Sequence, residues 1–279
     1  MTETASTPCP PATASAPSGE ARQEWVRPRV LLRRMRSQCA TQAPIWKWTL
    51  PAWSGRLPDG RTYNTCPSAG ICRDICYARA GTYRFPSTLR AHEQNLQYVM
   101  DEPKAWKAQM IAELAHRRFQ EPLNDVFVRI HDSGDWYSER YLRDWLDIMR
   151  TAPKTTFYCY SKEIALLEEV ARPQGLDNFI WRYSYGGLQD ELIQPQHLQV
   201  DVFPTEEAVA AAGVASQTES DLLCALGPTT IGIAANNLPA QKRKQGAQTF
   251  RALQRAANTR AKDRRHPRRG PNHNGPASR

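Results

Sequence analysis

The sequence predicts an α/β fold, a partial or irregular (β/α) barrel with a mainly parallel sheet. Two observations predict this fold class. Short apolar segments of strand type recur along the chain, at residues 125–130, 156–160, 178–183, 198–203 and 229–234. Segments with helical periodicity or helix-capping residues stand between most of them, and this alternation is typical of βαβ units. Five or six such units fit the chain, whereas a complete barrel has eight.

The first predicted elements contain three tryptophans. Residues 45–53, IWKWTLPAW, carry Trp46, Trp48 and Trp53 and begin with alternating polarity, which favours a strand or hairpin with an apolar inner face. A loop rich in Gly, Pro and Asn follows, and then a group of cysteines. Residues 87–100 are predicted to form a helix. A second helix is predicted from Pro103, a residue favoured in the first helical turn, to about residue 119.

Capping residues and periodicity define the later helices. Ser138 precedes a segment in which four apolar residues recur at the spacing of one helical face. They are Leu142, Trp145, Leu146 and Met149. Ser161 is predicted to cap a helix that runs to Arg172, and Gly213 is predicted to end the helix that follows Pro204.

Charge and composition divide the chain into three parts. Residues 1–43 are rich in Thr, Ser, Ala and Pro and are predicted to be disordered, with a basic arm or short helix at residues 27–36. Residues 44–240 are predicted to form the folded domain. Residues 241–279 hold 12 of the 37 Lys and Arg and one of the 28 acidic residues, a net charge of +11, while the rest carries 25 basic and 27 acidic residues. This basic tail is predicted to be helical and then disordered. It suits either binding of a nucleic acid through its phosphates or simple solvation.

The composition excludes a membrane-spanning or secreted class. Hydrophobic residues make up 41% of the chain, and no apolar segment reaches the roughly 20 residues of a membrane helix. The first 43 residues show no signal-peptide pattern. We therefore expect a cytoplasmic protein without a membrane partner. In such a protein the seven cysteines point to metal binding or catalysis rather than to disulfides.

Three cysteines stand close together in the segment CPSAGICRDICYA. Cys66, Cys72 and Cys76 lie within eleven residues, and three thiolates suit a soft metal centre, either an iron–sulfur cluster or zinc. A [4Fe–4S] cluster held at three irons leaves its fourth iron free to bind the amino and carboxylate groups of S-adenosylmethionine. Zinc would need a fourth ligand, such as His131 or His92, to form a structural Cys3His site. A further alternative is three thiols without any metal.

Three segments of the chain resemble the phage family called gene product 88. They are CPSAGICRDICYARAGTYRF from Cys66, VRIHDSGDWYSERYLRDWLDIM from Val128, and FYCYSK from Phe157. That family is similar in outline to radical S-adenosylmethionine proteins. The resemblance implies that Cys66, Cys72 and Cys76 bind a [4Fe–4S] cluster, that S-adenosylmethionine is a cofactor, and that a reductant is a partner.

Polar residues follow the predicted strands at the edge where parallel α/β barrels carry their chemistry. They are His131, Ser133, Gly134 and Asp135 after one strand, Ser161 and Lys162 after the next, and Arg182 and Ser184 at the third. Together they are suited to hold the amino, carboxylate and ribose groups of a nucleotide-like cofactor. The resemblance implies that Ser133, Gly134 and Asp135 meet the ammonium of that cofactor. Tyr77, directly after Cys76, is expected to pack against the cluster or the adenine.

The same residues have a structural interpretation. Ser and Asp at these positions are the residue types that cap helices, so capping alone explains Asp135, Ser138 and Ser161. Capping does not need an imidazole, and His131 is interpreted as a general acid or base, a metal ligand or a core histidine.

Two hypotheses on function follow. The first is an iron–sulfur protein, a radical-S-adenosylmethionine-like enzyme of phage or mobile-element type that acts on an unknown substrate. The alternative is a non-catalytic nucleic-acid-binding protein with a structural zinc site. A third possibility is a cluster that senses redox state or only stabilises the fold.

Overall fold

The computed structural model describes residues 27–35, 43–119, 125–236 and 238–265. Most of the predicted disordered arm, and the last part of the basic tail, lie outside these residues. Among the residues described, no helix has both the length and the apolar character needed to cross a bilayer.

Ten strands are present in the part of the chain that the structure describes. In chain order they are β1 (Arg33–Arg34), β2 (Ile45–Trp48), β3 (Ser54–Arg56), β4 (Thr62–Asn64), β5 (Val126–Ile130), β6 (Thr155–Ser161), β7 (Phe179–Ser184), β8 (Gln199–Phe203), β9 (Ala215–Ser216) and β10 (Thr230–Ala234). The five longest lie where the apolar segments of the sequence predict strands. β3 and β4 form a separate antiparallel hairpin inside the segment that was predicted to be a loop.

Eight strands form one sheet in the order β1-β2-β5-β6-β7-β8-β10-β9. The β1–β2 pair is antiparallel, and every other neighbouring pair is parallel. The predicted α/β fold with a mainly parallel sheet is confirmed. All strands of this sheet except β1 run in one direction. Their carboxyl ends therefore meet at one edge of the sheet, called here the carboxyl edge.

Eight helices accompany the sheet in the described ranges. They are α1 (Pro86–Asp101), α2 (Pro103–Leu114), α3 (Glu139–Thr151), α4 (Ile164–Leu166), α5 (Glu206–Ala211), α6 (Leu223–Leu226), α7 (Pro239–Gln245) and α8 (Phe250–Arg265). A π-turn and a 3-10 turn continue α4 to Gln174. Three 3-10 turns lie at Ile71–Ile75, Tyr77–Arg79 and Gly81–Arg84. They belong to residues 66–85, called here the cysteine loop.

The predicted helix caps are correct at one serine and wrong at the other. The Ser138 hydroxyl accepts a hydrogen bond of 3.3 Å from the backbone N–H of Tyr141, as an N-cap does. Ser161 is instead the last residue of β6, and helical structure begins only at Ile164. The Ser161 hydroxyl donates to Asp135 and accepts from the backbone N–H of Glu163 at 3.0 Å, one residue before the helix begins.

The core between the sheet and helices α2 and α3 is rich in indole rings. Trp48, Trp106 and Trp145 are fully buried, with ring centroids 5.6 to 6.4 Å apart. The Trp48 indole N–H donates to the hydroxyl of Tyr141 at 2.8 Å. Aromatic pairs at these separations add about 1 kcal/mol each to the gain from burial. This core fixes the positions of β2 and β5, from which the first part of the site projects.

The segments that flank the predicted domain also pack against it. Leu31 and Leu32 are buried, and their backbone N–H groups donate to the carboxylate of Glu113. The basic segment 27–35 contains β1 and no helix. At the other end, Phe250 of α8 is buried, and its ring fills the space where a side chain at Gly186 would lie.

Candidate functional site

One cavity of about 790 Å³ opens at the carboxyl edge of the sheet. Its wall contains the three clustered cysteines and the polar residues that follow β5, β6 and β7. Of the residues predicted from the sequence, it contains Cys66, Cys72, Cys76, Tyr77, His131, Ser133, Gly134, Asp135, Ser161, Lys162 and Ser184. Two widely separated parts of the sequence, the cysteine loop and the strand ends, are therefore brought to one place.

Backbone hydrogen bonds hold the cysteine loop over the strand ends. The N–H of Cys72 donates to the carbonyl of Gly186 at 3.1 Å, and the carbonyl of Cys76 accepts from the Gln241 amide at 2.8 Å. The N–H of Asp135 donates to the carbonyl of Thr65 at 2.8 Å, next to Cys66. Each cysteine is thus fixed through a backbone group at or beside its own position.

Close approach of α8 explains a glycine in this loop. A Cβ at Gly70 would overlap the side-chain oxygen of Gln254, which accepts a hydrogen bond from the N–H of Ile71 at 2.7 Å. A side chain at position 70 would push the Gln254 side chain out of this contact, and its Cβ would lie 2.9 Å from the backbone carbonyl oxygen of Gly186. The loop conformation therefore depends on α8 as well as on the sheet.

Two of the three thiols, those of Cys66 and Cys76, are desolvated by burial. Burial raises the pKa of Cys66, and the charge of Asp135 adds to this effect. Burial and the neighbouring Cys72 raise the pKa of Cys76 to about 11, although Lys162 and Arg79 oppose the shift. Without a metal the thiols of Cys66 and Cys76 are protonated, and metal binding would release their protons.

The thiols do not form a site for a single ion. No group of three or more His, Cys, Asp or Glu side chains in the described residues is arranged to hold one metal ion. His92, one of the two predicted zinc ligands, packs against the ring of Tyr83 and is not part of the cavity wall. A cluster spreads its ligands over several irons, so its thiolates lie farther apart than the ligands of one zinc.

His131 has a strained backbone at the end of β5. Its φ of 65° lies in the left-handed region, which histidine enters at a cost. Its Nε2 lies 3.1 Å from the hydroxyl of Tyr141, and burial lowers its pKa to about 3, so the ring is neutral. Its Nδ1 is buried without a hydrogen-bond partner in the described residues.

The next residues of this turn bind other parts of the wall. The hydroxyl of Tyr77 donates to the carbonyl of Asp132, and the Ser133 hydroxyl donates to the carbonyl of Leu50. Burial acts to raise the pKa of Asp132, but Arg129 and Lys47 outweigh it, so the pKa is lowered. The hydroxyls of Tyr77 and Ser133 are therefore already engaged by the protein.

Asp135 connects the ends of β5 and β6. Its carboxylate accepts hydrogen bonds from the Ser161 hydroxyl at 2.6 Å and from the backbone N–H groups of Lys162 and Trp136, both at 2.8 Å. Burial raises its pKa, and these three hydrogen bonds oppose the shift. With three donors in place, the carboxylate acts first as a clamp between two strand ends.

Lys162 is a buried charge of the wall with few hydrogen-bond partners among the described residues. It is only 9% exposed, and its ammonium donates one hydrogen bond, of 2.7 Å, to the hydroxyl of Ser184. Within the described residues it forms no ion pair, as none of the salt bridges of 4.0 Å or less involves it. A buried ammonium with unused donors is a natural partner for an anionic ligand.

Arg182, in contrast, does not reach the cavity. It is fully buried, and its guanidinium donates to the carbonyls of Leu223, Cys224, Gly227, Pro228 and Thr229 at 2.6 to 3.1 Å. All of its nitrogens are engaged in this way. The residue holds the segment between α6 and β10 against β7.

A second part of the wall was not predicted from the sequence. Arg129 of β5 forms an ion pair of 2.8 Å with Asp221, which also accepts a hydrogen bond of 2.6 Å from Tyr158. The guanidinium of Arg129 lies 5.5 Å from the ring centre of Tyr160, whose buried hydroxyl has no partner in the described residues. The arginine in the apolar run DVFVRI was a visible signal, since a charged residue in a buried strand needs a partner. Asp221 lies in a loop without a distinguishing pattern.

The family comparison agrees with the sequence motifs. A search of curated proteins found no match, and neither did a search of solved structures. A family model described as gene product 88 matches residues 30–265, from within the first described segment to the end of α8. The matched range contains the whole cavity wall. The chain therefore belongs to the gene product 88 family.

Proposed function

We propose that this protein is an iron–sulfur protein in which Cys66, Cys72 and Cys76 each bind one iron of a [4Fe–4S] cluster. We further propose that it is an enzyme that binds S-adenosylmethionine beside that cluster. The observation that carries the proposal is that all three cysteines share one cavity wall with the strand ends of a parallel sheet. This is the edge at which enzymes of parallel α/β architecture bind their ligands.

The donor set fits such a cluster. Three thiols on a loop of eleven residues are soft ligands, and Cys72 lies close enough to Cys66 and Cys76 to raise the pKa of both. A cluster with three thiolates is anionic overall, and Lys162 supplies a buried positive charge that already acts on Cys76. Among the described residues, the cavity wall contains three cysteines and no fourth, so a [4Fe–4S] cluster bound by them would keep one iron without a cysteine ligand.

The cavity has room and partners for a second ligand. Its volume of about 790 Å³ is within the range of small-molecule sites. We expect the ammonium of Lys162, which donates a hydrogen bond to the hydroxyl of Ser184, to bind the carboxylate of that ligand. When bound together, the cluster and S-adenosylmethionine supply one-electron reductive cleavage of a sulfonium, with the electron from a reductant.

The residues around this ligand would position it and keep the wall rigid. Asp135 fixes the ends of β5 and β6 relative to each other, and the Ser133 hydroxyl fixes the turn to Leu50. His131, which is neutral and buried, is suited to donate or accept a hydrogen bond through Nδ1 but not to carry a charge.

The test is anaerobic purification followed by measurement of iron, acid-labile sulfide and zinc. We expect about four irons and four sulfides per chain, as a [4Fe–4S] cluster contains, and an electron paramagnetic resonance spectrum of the reduced protein that changes on addition of S-adenosylmethionine. Cys72→Ala should lose the cluster, while Cys224→Ala, a matched change at a buried cysteine outside the cavity wall, should retain it.

Three other results would each overturn part of the proposal. A colourless protein with one zinc per chain would establish the structural zinc site instead. A cluster retained in full by Cys72→Ala would refute the ligand assignment. A cluster whose spectrum is indifferent to S-adenosylmethionine would refute the enzymatic proposal and leave a redox or structural cluster.

A further inference from the structure

Helices α7 and α8 carry a dense positive charge beside the cysteine loop. Residues 239–265 contain nine Lys and Arg and one acidic residue, Asp263. The basic side chains that are exposed are Lys242, Arg243, Lys244, Arg251, Arg255, Arg260, Lys262 and Arg264. These side chains and the helices that carry them are called here the basic face.

The basic face is not neutralised by the rest of the described chain. None of its cations forms an ion pair of 4.0 Å or less with a described carboxylate, although thirteen Lys and Arg–carboxylate pairs occur elsewhere. Two cations have other partners: Lys244 donates to the carbonyl of Asp74, and Arg251 lies 4.5 Å from the ring centre of Tyr185. Such a concentration of unpaired charge on one surface repels itself unless a polyanion binds.

The apolar side of α8 is already used inside the protein. Phe250 and Gln254 are buried against the loop after β7 and the cysteine loop, and the backbone N–H of Arg251 donates to Asp201 at 3.1 Å. From Thr259 to Arg264 every residue is exposed. The helix is thus anchored by its first half, while its second half projects its cations into solvent.

This arrangement favours one class of partner over others. A helix that lies on a membrane needs a free apolar face, and no large hydrophobic side chain among the described residues of α7 or α8 is exposed. A protein partner usually needs a buried aromatic or aliphatic anchor, which the basic face also lacks within the same described helices. Phosphates of a nucleic-acid backbone need only cations at intervals along a surface.

We propose that the basic face binds the phosphate backbone of a nucleic acid. Because α7 contacts the carbonyls of Asp74 and Cys76 directly, the bound strand would run past the cysteine loop at the wall of the cavity. Binding through phosphates is largely independent of base sequence. The proposal rests on the charge and exposure of α7 and α8 and does not depend on the identity of any metal.

The test is fluorescence anisotropy with the full chain and labelled oligonucleotides, one single-stranded and one duplex, over a series of salt concentrations. We expect binding of at least one of the two, with an affinity that falls steeply as salt rises because counterions are released. The two probes distinguish which form of the backbone is preferred. Failure of both to bind at low salt would overturn the proposal, as would binding only to anionic lipid vesicles added in a parallel measurement.

Two pairs of variants locate the binding surface. Arg255→Glu with Lys262→Glu should weaken binding about tenfold or more and lower the salt slope by about 2, roughly one unit for each phosphate that is no longer neutralised. Lys104→Glu with Lys154→Glu removes the same charge at two exposed lysines that lie outside α7 and α8, and should change the affinity less than about twofold. Equal losses in both pairs would show a general charge effect and refute the assignment to this face.

A further variant separates binding from folding. Arg255→Gln with Lys262→Gln removes the charges without repulsion, and helical circular dichroism should match that of the unchanged protein. Weakened binding by this folded variant supports the proposal, and unchanged binding refutes it. The metal content of all variants should be equal, so failure of the iron–sulfur proposal leaves this result intact.

Discussion

The hydroxyl of Ser161 donates a hydrogen bond of 2.6 Å to the carboxylate of Asp135, and this contact joins the ends of two neighbouring strands. Both residues are buried, and the same carboxylate also accepts from two backbone N–H groups. Three donors converge on one carboxylate, and the residue that carries it is only 5% exposed. The carboxyl edge of the sheet is therefore held together at this point by a buried acceptor, and the turn that carries His131 depends on it.

Asp135→Asn is expected to destabilise the protein by about 2 kcal/mol. The amide retains one carbonyl oxygen, which can accept hydrogen bonds on one side only. On the other side its NH2 group faces a donor, either the N–H of Lys162 or the N–H of Trp136 next to the Ser161 hydroxyl. Ser161→Ala removes one of the three donors to Asp135 and also the acceptor of the Glu163 backbone N–H, and it should cost about 1 kcal/mol. Urea unfolding of the two variants measures the difference. Equal losses in the two variants would show that the backbone donors contribute little to the clamp.

Gly134 is required in the same turn for two separable reasons. Its φ is 87°, and an added Cβ would lie 2.8 Å from the Cβ of Leu50. Gly134→Ala should therefore cost about 3 kcal/mol, from backbone strain and from the clash. Gly60 has a similar φ of 93°, and an added Cβ there would have no atom within 4 Å, so Gly60→Ala measures the strain alone, about 1 kcal/mol. Thermal or urea unfolding compares the two variants. If Gly60→Ala lost as much stability as Gly134→Ala, the clash with Leu50 would have no energetic weight.

The strands of the sheet centre were predictable because each is a continuous apolar run. The segment 125–130 became β5, Val126–Ile130, and the segment 229–234 became β10, Thr230–Ala234. Parallel strands covered on both faces need this composition, so pattern and structure agree closely. Short elements such as β9 and α6 had no such pattern. They are held by tertiary contacts, including those of Arg182 with the carbonyls around α6.

The candidate site was predictable in its location more than in the role of each residue. Parallel strands place their carboxyl ends together, so polar residues after β5, β6 and β7 had to meet. The sequence shows which side of a strand a residue lies on but not how far its side chain reaches. Arg182 and Ser184 share a face of β7 by alternation, yet only Ser184, at the strand end, lines the cavity. The Arg129–Asp221 pair joins residues 92 positions apart, a contact that no local pattern reveals.

Arg182→Met is expected to cost about 3 kcal/mol in free energy of unfolding, because several hydrogen bonds from a charged donor are lost and each contributes about 1.5 to 3 kcal/mol. The change removes the arginine donors from five carbonyls, of which those of Leu223 and Thr229 keep a backbone N–H donor. Arg150→Met, at an exposed arginine of α3 paired with Asp147, should cost less than about 1 kcal/mol. Chemical unfolding compares the two. A stable Arg182→Met protein that had lost ligand binding would instead support the cofactor-binding role that the sequence suggested.

Lys162→Met is expected to preserve or raise the stability of the protein and to weaken its binding of S-adenosylmethionine. In the metal-free protein the ammonium is buried with a single hydrogen bond, to Ser184, and its desolvation is only partly offset. Replacement by an apolar side chain of similar length should leave the free energy of unfolding unchanged or raise it by about 1 kcal/mol. Binding of S-adenosylmethionine, measured by calorimetry on the cluster-loaded protein, should weaken at least tenfold because the cation that meets the carboxylate is gone.

Lys107→Met, at a lysine paired with Asp144 and Asp147 on the surface, should slightly lower stability and leave binding unchanged. A marked loss of stability in Lys162→Met would mean that the ammonium is a structural group already satisfied by the protein, and the carboxylate-binding role would fall with it.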